Sequence, residues 1–531
     1  MKSKQKAGLI IYNATIYTVD EKFSKAEAVV VSRGKIVATG SSKSLLNRFD
    51  AEEKIDAKGK FLFPGFIDAH AHFFGYGLGL QRAKLDDTKS WAEVLSKVKK
   101  YADKNKEEWI IGRGWNQNDW QVKEFPDKKE LDKLFSKRPV VLTRVDGHAL
   151  IANSGALKIA GIKAGDKIEG GEIEIKDGKL TGILIDNAMD FVYSKIPPLT
   201  KSQLKKTLLR AQENCFAAGL TTIVDCGQDY ESALFVDLLQ KNNELKMRLF
   251  IMMSDEKKNY DFLFKNGKIK TERLHVCSFK LFSDGALGSG GAYLLKPYSD
   301  NPDSKGLLLK PEKHFDTKAR LIFENGFQMC THAIGDAANR MMLKIYAKYL
   351  KGKNDRRWRI EHAQIVNKND FRYFGDYNIV PSVQPTHATS DMYWAGKKLG
   401  KKRLKYAYAN QKLKDENGWI PLGTDFPIED ISPIKTFYAS VFRKDVKGWP
   451  EEGFQMENAL SREDTIRGMT TWAAKANFEE NEKGSIEKGK FADFVLLDTD
   501  LMTADEKNIL DTKVLMTFVN GEKVFERNTG N

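Results

Sequence analysis

The sequence predicts an α/β protein: a (β/α)8 TIM-type barrel with a large insertion after its first strand, plus a small β-sandwich domain built from both termini. Three observations point there. Apolar runs of strand length recur through the middle of the chain, most of them followed by a helical pattern. There are eight of them, the number a closed barrel needs. Both ends of the chain are instead β-rich and alternating, with glycine turns between runs.

Taken in order, residues 8–60 read as β-structure: GLIIYNATIYTVD, EAVVVSRGKIVATG and KIDAKGKFLF alternate around turns such as Arg33-Gly34. The eight runs then follow as FLFPGFIDAHAH (61–72), TTIVDCG (221–227), MRLFIMMS (247–254), VCSFKLFSDG (276–285), FQMCTHAIGD (327–336), RIEHAQ (359–364), NIVPSVQPTH (378–387) and IPLGTDFP (420–427). Helical patterns such as ESALFVDLLQKN and AANRMMLKIYAKYLK lie between them. The stretch 73–200 is too long for one crossover. It holds an amphipathic helix from Trp91 to Ala102, strands at WIIGRGW and PVVLTRV, and the hairpin GGEIEIKDGKLTGILI. It is read as an insertion over the barrel mouth, a natural place for substrate recognition. GKFADFVLLD (489–498) and KVLMTFVNGEKVF (513–525) return to β-structure, the second turning at Asn520-Gly521. The expected domains are 1–60 and 481–531 as two parts of the β-sandwich, and 61–480 as the barrel.

Composition narrows the function. The 531 residues are 41% hydrophobic and 30% charged, as in a soluble globular protein. The net charge of +14 raises the question of a nucleic-acid partner. The cations are spread and mixed with acids, as in 97–108 and 257–270, and no aromatic-interleaved basic motif occurs, so nucleic acid is not expected. The four cysteines form no CxxC and imply no disulfide framework, which fits a reducing, cytoplasmic setting. The basic start MKSKQK is followed only by LIIY, too short for a signal-peptide core. No apolar run approaches the roughly 18 residues of a membrane span.

In a (β/α)8 barrel the active site sits at the carboxyl ends of the strands. Those ends carry His70 and His72 on the first run, Lys280 on the fourth, His332 on the fifth, His362 on the sixth and Asp425 on the eighth. Side chains alternate along a strand, so His70 and His72 face the same way and can converge on one cation. Neutral imidazole suits zinc and other transition metals, although a HxH pair also occurs in ordinary polar loops. Four of the chain's eight histidines fall at strand ends, which favours a metal site. Glu361, next to His362, is expected on the opposite face of its strand, in an ion pair.

This constellation resembles the amidohydrolase superfamily, and more closely amidohydrolase family 3, the group that includes N-substituted formamide deformylase-like proteins. The blocks PGFIDAHAHF, GRGWNQNDW, RPVVLTRVDGHALIANSGAL, FKLFSDGALGSGGAYL, THAIGD, RIEHAQ, SVQPTH, GTDFP and GSIEKGKFADFVLLD occur in its order over nearly the whole chain. The resemblance implies one or two divalent metals, zinc being the expected ion. His70, His72 and Asp425 would hold one and His332 and His362 the other, with a carboxylated Lys280 bridging. Asp425 would act as general acid/base while metal-bound hydroxide attacks a small N-acyl or N-formyl amide at a non-peptide C–N bond. His148, His387, Asp284 and Trp115 are the expected substrate contacts. The alternatives are a deaminase of an amino-heterocycle on the same scaffold and a non-catalytic regulatory barrel. The expected partner is a small-molecule substrate, with neither nucleic acid nor membrane involved. The oligomeric state stays open, a homodimer being common among large barrel enzymes.

Overall fold

The computed structural model describes residues 4–528 apart from 145, 146, 148, 168–170, 187 and 198, and without the side chains of 118 and 186. These residues fall into two compact units, Met1–Phe74 with Ala211–Asn531, and Gly75–Arg210.

The first unit contains a parallel sheet of seven strands in sequential order: β1 (Phe66–Ala71), β2 (Leu220–Gln228), β3 (Arg248–Ser254), β4 (Leu274–Phe282), β5 (Gln328–Ala333), β6 (Arg359–His362) and β7 (Val380–Ser382). Most residues of these strands are buried, as a parallel sheet covered on both faces requires. Residues 421–426 close the ring. Gly423 N donates to Val383 O at 3.0 Å on one side, and Ala69 N donates to Leu422 O at 3.1 Å on the other. The strand expected to run unbroken from 61 to 72 is divided at Gly65. Phe61–Pro64 pairs with Phe494–Leu497 and Thr15–Tyr17, away from the barrel. A Cβ on Gly65 would lie 2.4 Å from the Thr221 side chain, so only glycine permits this passage between sheets.

Strands from the two ends of the chain lie together in the same unit. One sheet runs Lys35–Gly40, Ala28–Ser32, Gln5–Tyr12, Phe49–Asp56. The other runs Glu522–Glu526, Val514–Val519, Phe494–Leu497, Phe61–Pro64, Thr15–Tyr17, Lys25–Ala26. Ile11 and Val29 of the first share one apolar core with Leu62, Phe494 and Phe518 of the second. Arg248 at the start of β3 is fully buried and donates Nε to Asp493 Oδ2 at 2.7 Å, with Phe491 under its guanidinium.

The second unit is built on a six-stranded sheet ordered Gly171–Lys176, Lys179–Asp186, Ala149–Ala152, Val140–Arg144, Ile110–Trp115, Ala83–Lys84. Helix Trp91–Lys104 is capped at its start: Ser90 Oγ accepts from Glu93 N, and Glu93 Oε2 accepts from Lys89 N just before the cap. Its buried Val94, Val98 and Ala102 recur every four residues and face the sheet core. Among the described residues no helix is long and apolar enough to cross a membrane. All four cysteines are buried and unpaired.

The Arg248–Asp493 pair is desolvated, so removing one partner strands the other charge. Arg248→Met is expected to lower unfolding stability by about 3–5 kcal/mol. Urea unfolding followed by circular dichroism checks this, and an unchanged midpoint would show that the pair contributes nothing.

Candidate metal centre

The site is assembled from the ends of β1, β4, β5 and β6 and from the closing segment. His70 is fully buried. Its Nδ1 lies 2.5 Å from Glu361 Oε2, and Glu361 Oε1 lies 2.9 Å from Arg359 Nε. A carboxylate at Nδ1 keeps the proton there and leaves Nε2 with a free lone pair. That Nε2 is 3.3 Å from Lys280 Nζ and 3.6 Å from Asp425 Oδ1. His72 Nε2 is 3.1 Å from the same oxygen. His332 and His362 complete the ring, with centroids 4.5 Å apart, and His362 lies 4.8 Å from His70.

Ligand atoms of His70, His72 and Asp425 all fall within 4.8 Å of one another. Among the described residues, buried His332 Nε2, His362 Nδ1 and Asp425 Oδ1 have no hydrogen-bond partner. The short distance from His72 to Asp425 lacks the angle of a hydrogen bond, as when two groups aim at a shared point. Unpaired buried acceptors are costly without a ligand. This donor set of imidazole nitrogen and carboxylate oxygen fits a divalent metal of the zinc type.

The electrostatics agree. Burial, then the Lys280 amine, lowers His70 to about 4. Burial, then Lys280 and His70, lowers His332 to about 3, and His362 is also driven well below its ordinary value by burial. All three are therefore neutral, as ligands must be. Burial works against ionisation of Asp425, yet its contacts with His387 and His72 hold it well below the usual carboxylate range. Glu361 is likewise held down to about 2: burial opposes, and Arg359 and His70 outweigh it.

Backbone strain coincides with these positions. His362 has φ +73° and Asp425 φ +63°, the left-handed region that non-glycine residues rarely adopt. On β6, Arg359 and Glu361 share one face, and both enter the barrel interior. Glu361 thus does not lie away from the site, as expected from its neighbour. The left-handed turn at His362 brings its imidazole to the same mouth. The expected ion pair of Glu361 is present, but the same carboxylate also orients His70.

The remaining expected residues separate. His387 is half-buried and turned towards two carboxylates. Its Nε2 lies 3.2 Å from Asp425 Oδ2 and its Nδ1 3.3 Å from Glu429 Oε1. Burial lowers its basicity, but hydrogen bonds to the two carboxylates raise it to about 10. Distance alone also groups His387 with His362 and Asp425 as ligands. The contact with Oδ2 lets His387 brace Asp425. Asp284 is buried and accepts from the backbone N–H groups of Tyr293, Ile334 and Gly335 at 2.8–3.0 Å. It pins the loops after β4 and β5, and its Oδ1 stands 3.7 Å from His332 Nε2. Trp115 is fully buried in the second unit's core, its indole N–H bonded to Leu142 O, so it walls no pocket. His148 lies outside the described residues. Sequence reasoning passed over Asp68, which accepts from Thr424 N, Thr424 Oγ1 and His70 N. Its position two residues before His70, on the same strand face, was the available signal.

A family model described as the amidohydrolase family matches residues 53–525. The chain belongs to this family. It is 33% identical to Protein LONG AFTER FAR-RED 3 of Arabidopsis thaliana, over 98% of this chain and 92% of the relative. It is 26% identical to an N-substituted formamide deformylase of Arthrobacter pascens, over 98% and 99%. Among solved structures, an uncharacterized metal-dependent hydrolase from Pyrococcus furiosus aligns at TM-score 0.79 and 28% identity, covering 93% of this chain and all of that one. The family and these neighbours support a hydrolase.

Two outcomes follow for this amidohydrolase. Glu361→Gln weakens the acceptor that orients His70, and metal affinity should fall about 10–100-fold in competition with a chelator. Metal-free protein should lose stability as pH falls from about 6.5 towards about 4, because His70 and His332 take up protons in the unfolded chain first. Melting temperature measured across that range reads the effect, and a flat profile would remove the buried neutral imidazoles.

Proposed function

We propose that this chain is a metal-dependent amidohydrolase that cleaves the non-peptide C–N bond of a small N-acyl or N-formyl amide. The observation that carries this reading is the meeting of His70, His72 and Asp425 ligand atoms within 4.8 Å, beside unpaired His332 and His362 nitrogens. His70, His72 and Asp425 would hold one zinc ion, and His332 and His362 a second. When bound, such ions lower the pKa of water and polarise the scissile carbonyl.

Lys280 is fully buried, and among the described residues no carboxylate stands within ion-pair distance of its Nζ. Carboxylation resolves this: the neutral amine adds CO2, releases a proton and becomes an anionic carbamate. The site would then gain an anion and lose a cation beside its ligands.

Asp425 is the acid/base of this reading. Its Oδ2 is occupied by His387, which Glu429 holds in turn, so Oδ1 faces the reacting water. Asp425 takes one proton from that water as its oxygen joins the carbonyl carbon. It then delivers the proton to the amide nitrogen as the C–N bond breaks, leaving a carboxylic acid and a free amine. The relative named N-substituted formamide deformylase supports the N-formyl class. Four buried, unpaired cysteines support a reducing, cytoplasmic setting.

The test is amine release from a panel of N-formyl, N-acetyl and longer N-acyl amines, using protein loaded with zinc in bicarbonate. Asp425→Asn should lower kcat about 10²–10⁴-fold with KM little changed. Turnover that survives the substitution would remove Asp425 from its role. Bound metal without amine release would direct attention to amino-heterocycles.

A further inference from the structure

A second feature lies on segments that follow β4, β5, β6 and β7 in the chain. A cavity of about 1150 Å³ is lined by four separate segments, 295–299, 336–340, 365–369 and 399–406. They bring together Lys296, Lys368, Lys401, Lys402 and Lys405. Among the described residues none of these five has a carboxylate within ion-pair distance. Two arginines also line the space, but both are committed. Arg340 pairs with Asp370 at 2.8 Å, and Arg403 donates to the carbonyls of Lys296, Pro297 and Leu399. Asp336 is the acid in the lining, and its Oδ1 is taken by Leu295 N.

The stretch 395–408, AGKKLGKKRLKYAY, contains no acid, and of its lysines Lys398 is offset from outside it, by Asp300 at 3.0 Å. Folding adds Lys296 and Lys368 from two other loops, which increases the repulsion. Some lysines elsewhere are offset, as Lys348 by Asp316, Lys435 by Asp430 and Lys257 by Asp261. Clustering cations around a hollow stabilises nothing unless an anion enters. Leu295, Pro297, Ile365, Val366, Leu399 and the ring of Tyr406 supply an apolar wall beside the charges. Ligand pockets combine such walls with a few polar anchors, and lysine is a common phosphate partner.

We propose that this cavity binds a small molecule bearing several phosphate groups, of the size of a nucleoside triphosphate. The site is held to the barrel by direct pairing. Val366 N donates to Tyr406 O at 3.2 Å and Tyr408 N to Gln364 O at 2.7 Å, immediately after the β6 end that carries His362. The proposal is independent of the hydrolase reading, since it needs neither metal nor turnover.

The experiment is calorimetric titration of the full chain with ATP and with inorganic tripolyphosphate. The variant is Lys401→Glu/Lys402→Glu/Lys405→Glu, at three exposed positions. A control of equal charge change, Lys99→Glu/Lys100→Glu/Lys104→Glu, sits on an exposed face of helix Trp91–Lys104. Circular dichroism verifies that both variants fold. Expected is binding that weakens about tenfold or more in the first variant, stays unchanged in the control, and falls as salt rises from about 50 to about 200 mM. Equal affinity for both ligands would assign the site to phosphate chains alone, and tighter binding of ATP would add recognition of its base by the apolar wall. Equal loss in both variants, or no binding of either ligand at low salt, would overturn the proposal. So would single-stranded RNA that binds while both small ligands do not.

Discussion

The site depends on how the barrel closes. Residues 421–426 lie against β1, and the hydrogen bonds of this seam are also the geometry of the site. Asp425 N donates to His70 O at 2.8 Å, and His72 N to Phe426 O at 2.9 Å. The carboxylate from the end of the chain's barrel is thereby set beside two imidazoles from its start. Asp68 locks the register, since its oxygens accept from both Thr424 and His70. Gly423 makes the approach possible, because a Cβ there would stand 2.5 Å from His70 N. Left-handed φ at Asp425 is the local cost of aiming its side chain along this seam, and the seam's hydrogen bonds oppose relaxation.

Charges around the centre follow one pattern. Apart from Lys280, the buried ionic groups named above are each backed by a partner in the chain. Arg359 backs Glu361, Glu361 backs His70, and Glu429 backs His387, which backs Asp425. Arg359 also reaches Ala69 O and Ser382 Oγ, joining β1, β6 and β7 under the ligands. Burying ions in this way is tolerable only when each is paired and hydrogen-bonded. The consequence is directional. The backing partners use one nitrogen or oxygen of a ligand and leave the other pointing inward. The free Asp425 oxygen results from that arrangement and is not a packing defect.

The strands, and the polar residues at their ends that meet in the centre, were legible in the sequence because both depend on short-range pattern. A strand buried on both faces appears as an apolar run, and a ligand at its end as the polar residue where the run stops. Gly65 was less legible: nothing in FLFPGFIDAHAH announces that the chain leaves one sheet for another, since both halves are equally apolar. Glu361 was misplaced by applying strict alternation across His362, where positive φ interrupts it. Trp115 and Asp284 were assigned from blocks of resemblance, which mark what must be retained without separating packing from contact. Their burial and backbone bonds decide that question, and neither can be read from residue type. The basic hollow was hidden for a related reason, because its lysines come from distant segments and look dispersed along the chain.

Lys280 departs from the pattern of backed charges. It is as buried as His70 and stands 3.3 Å from His70 Nε2. Among the described residues no carboxylate offsets it, and Phe282 is the ring that its Nζ approaches, at 4.9 Å. A cation there pushes down the basicity of His70 and His332, but it would also repel any metal they bind. Every other ion in the centre is compensated by a residue of the chain. On the proposed reading the missing compensation would come from chemistry at its own nitrogen. An anionic carbamate there would reverse the sign of the charge and stand beside the imidazoles as a partner in place of a competitor.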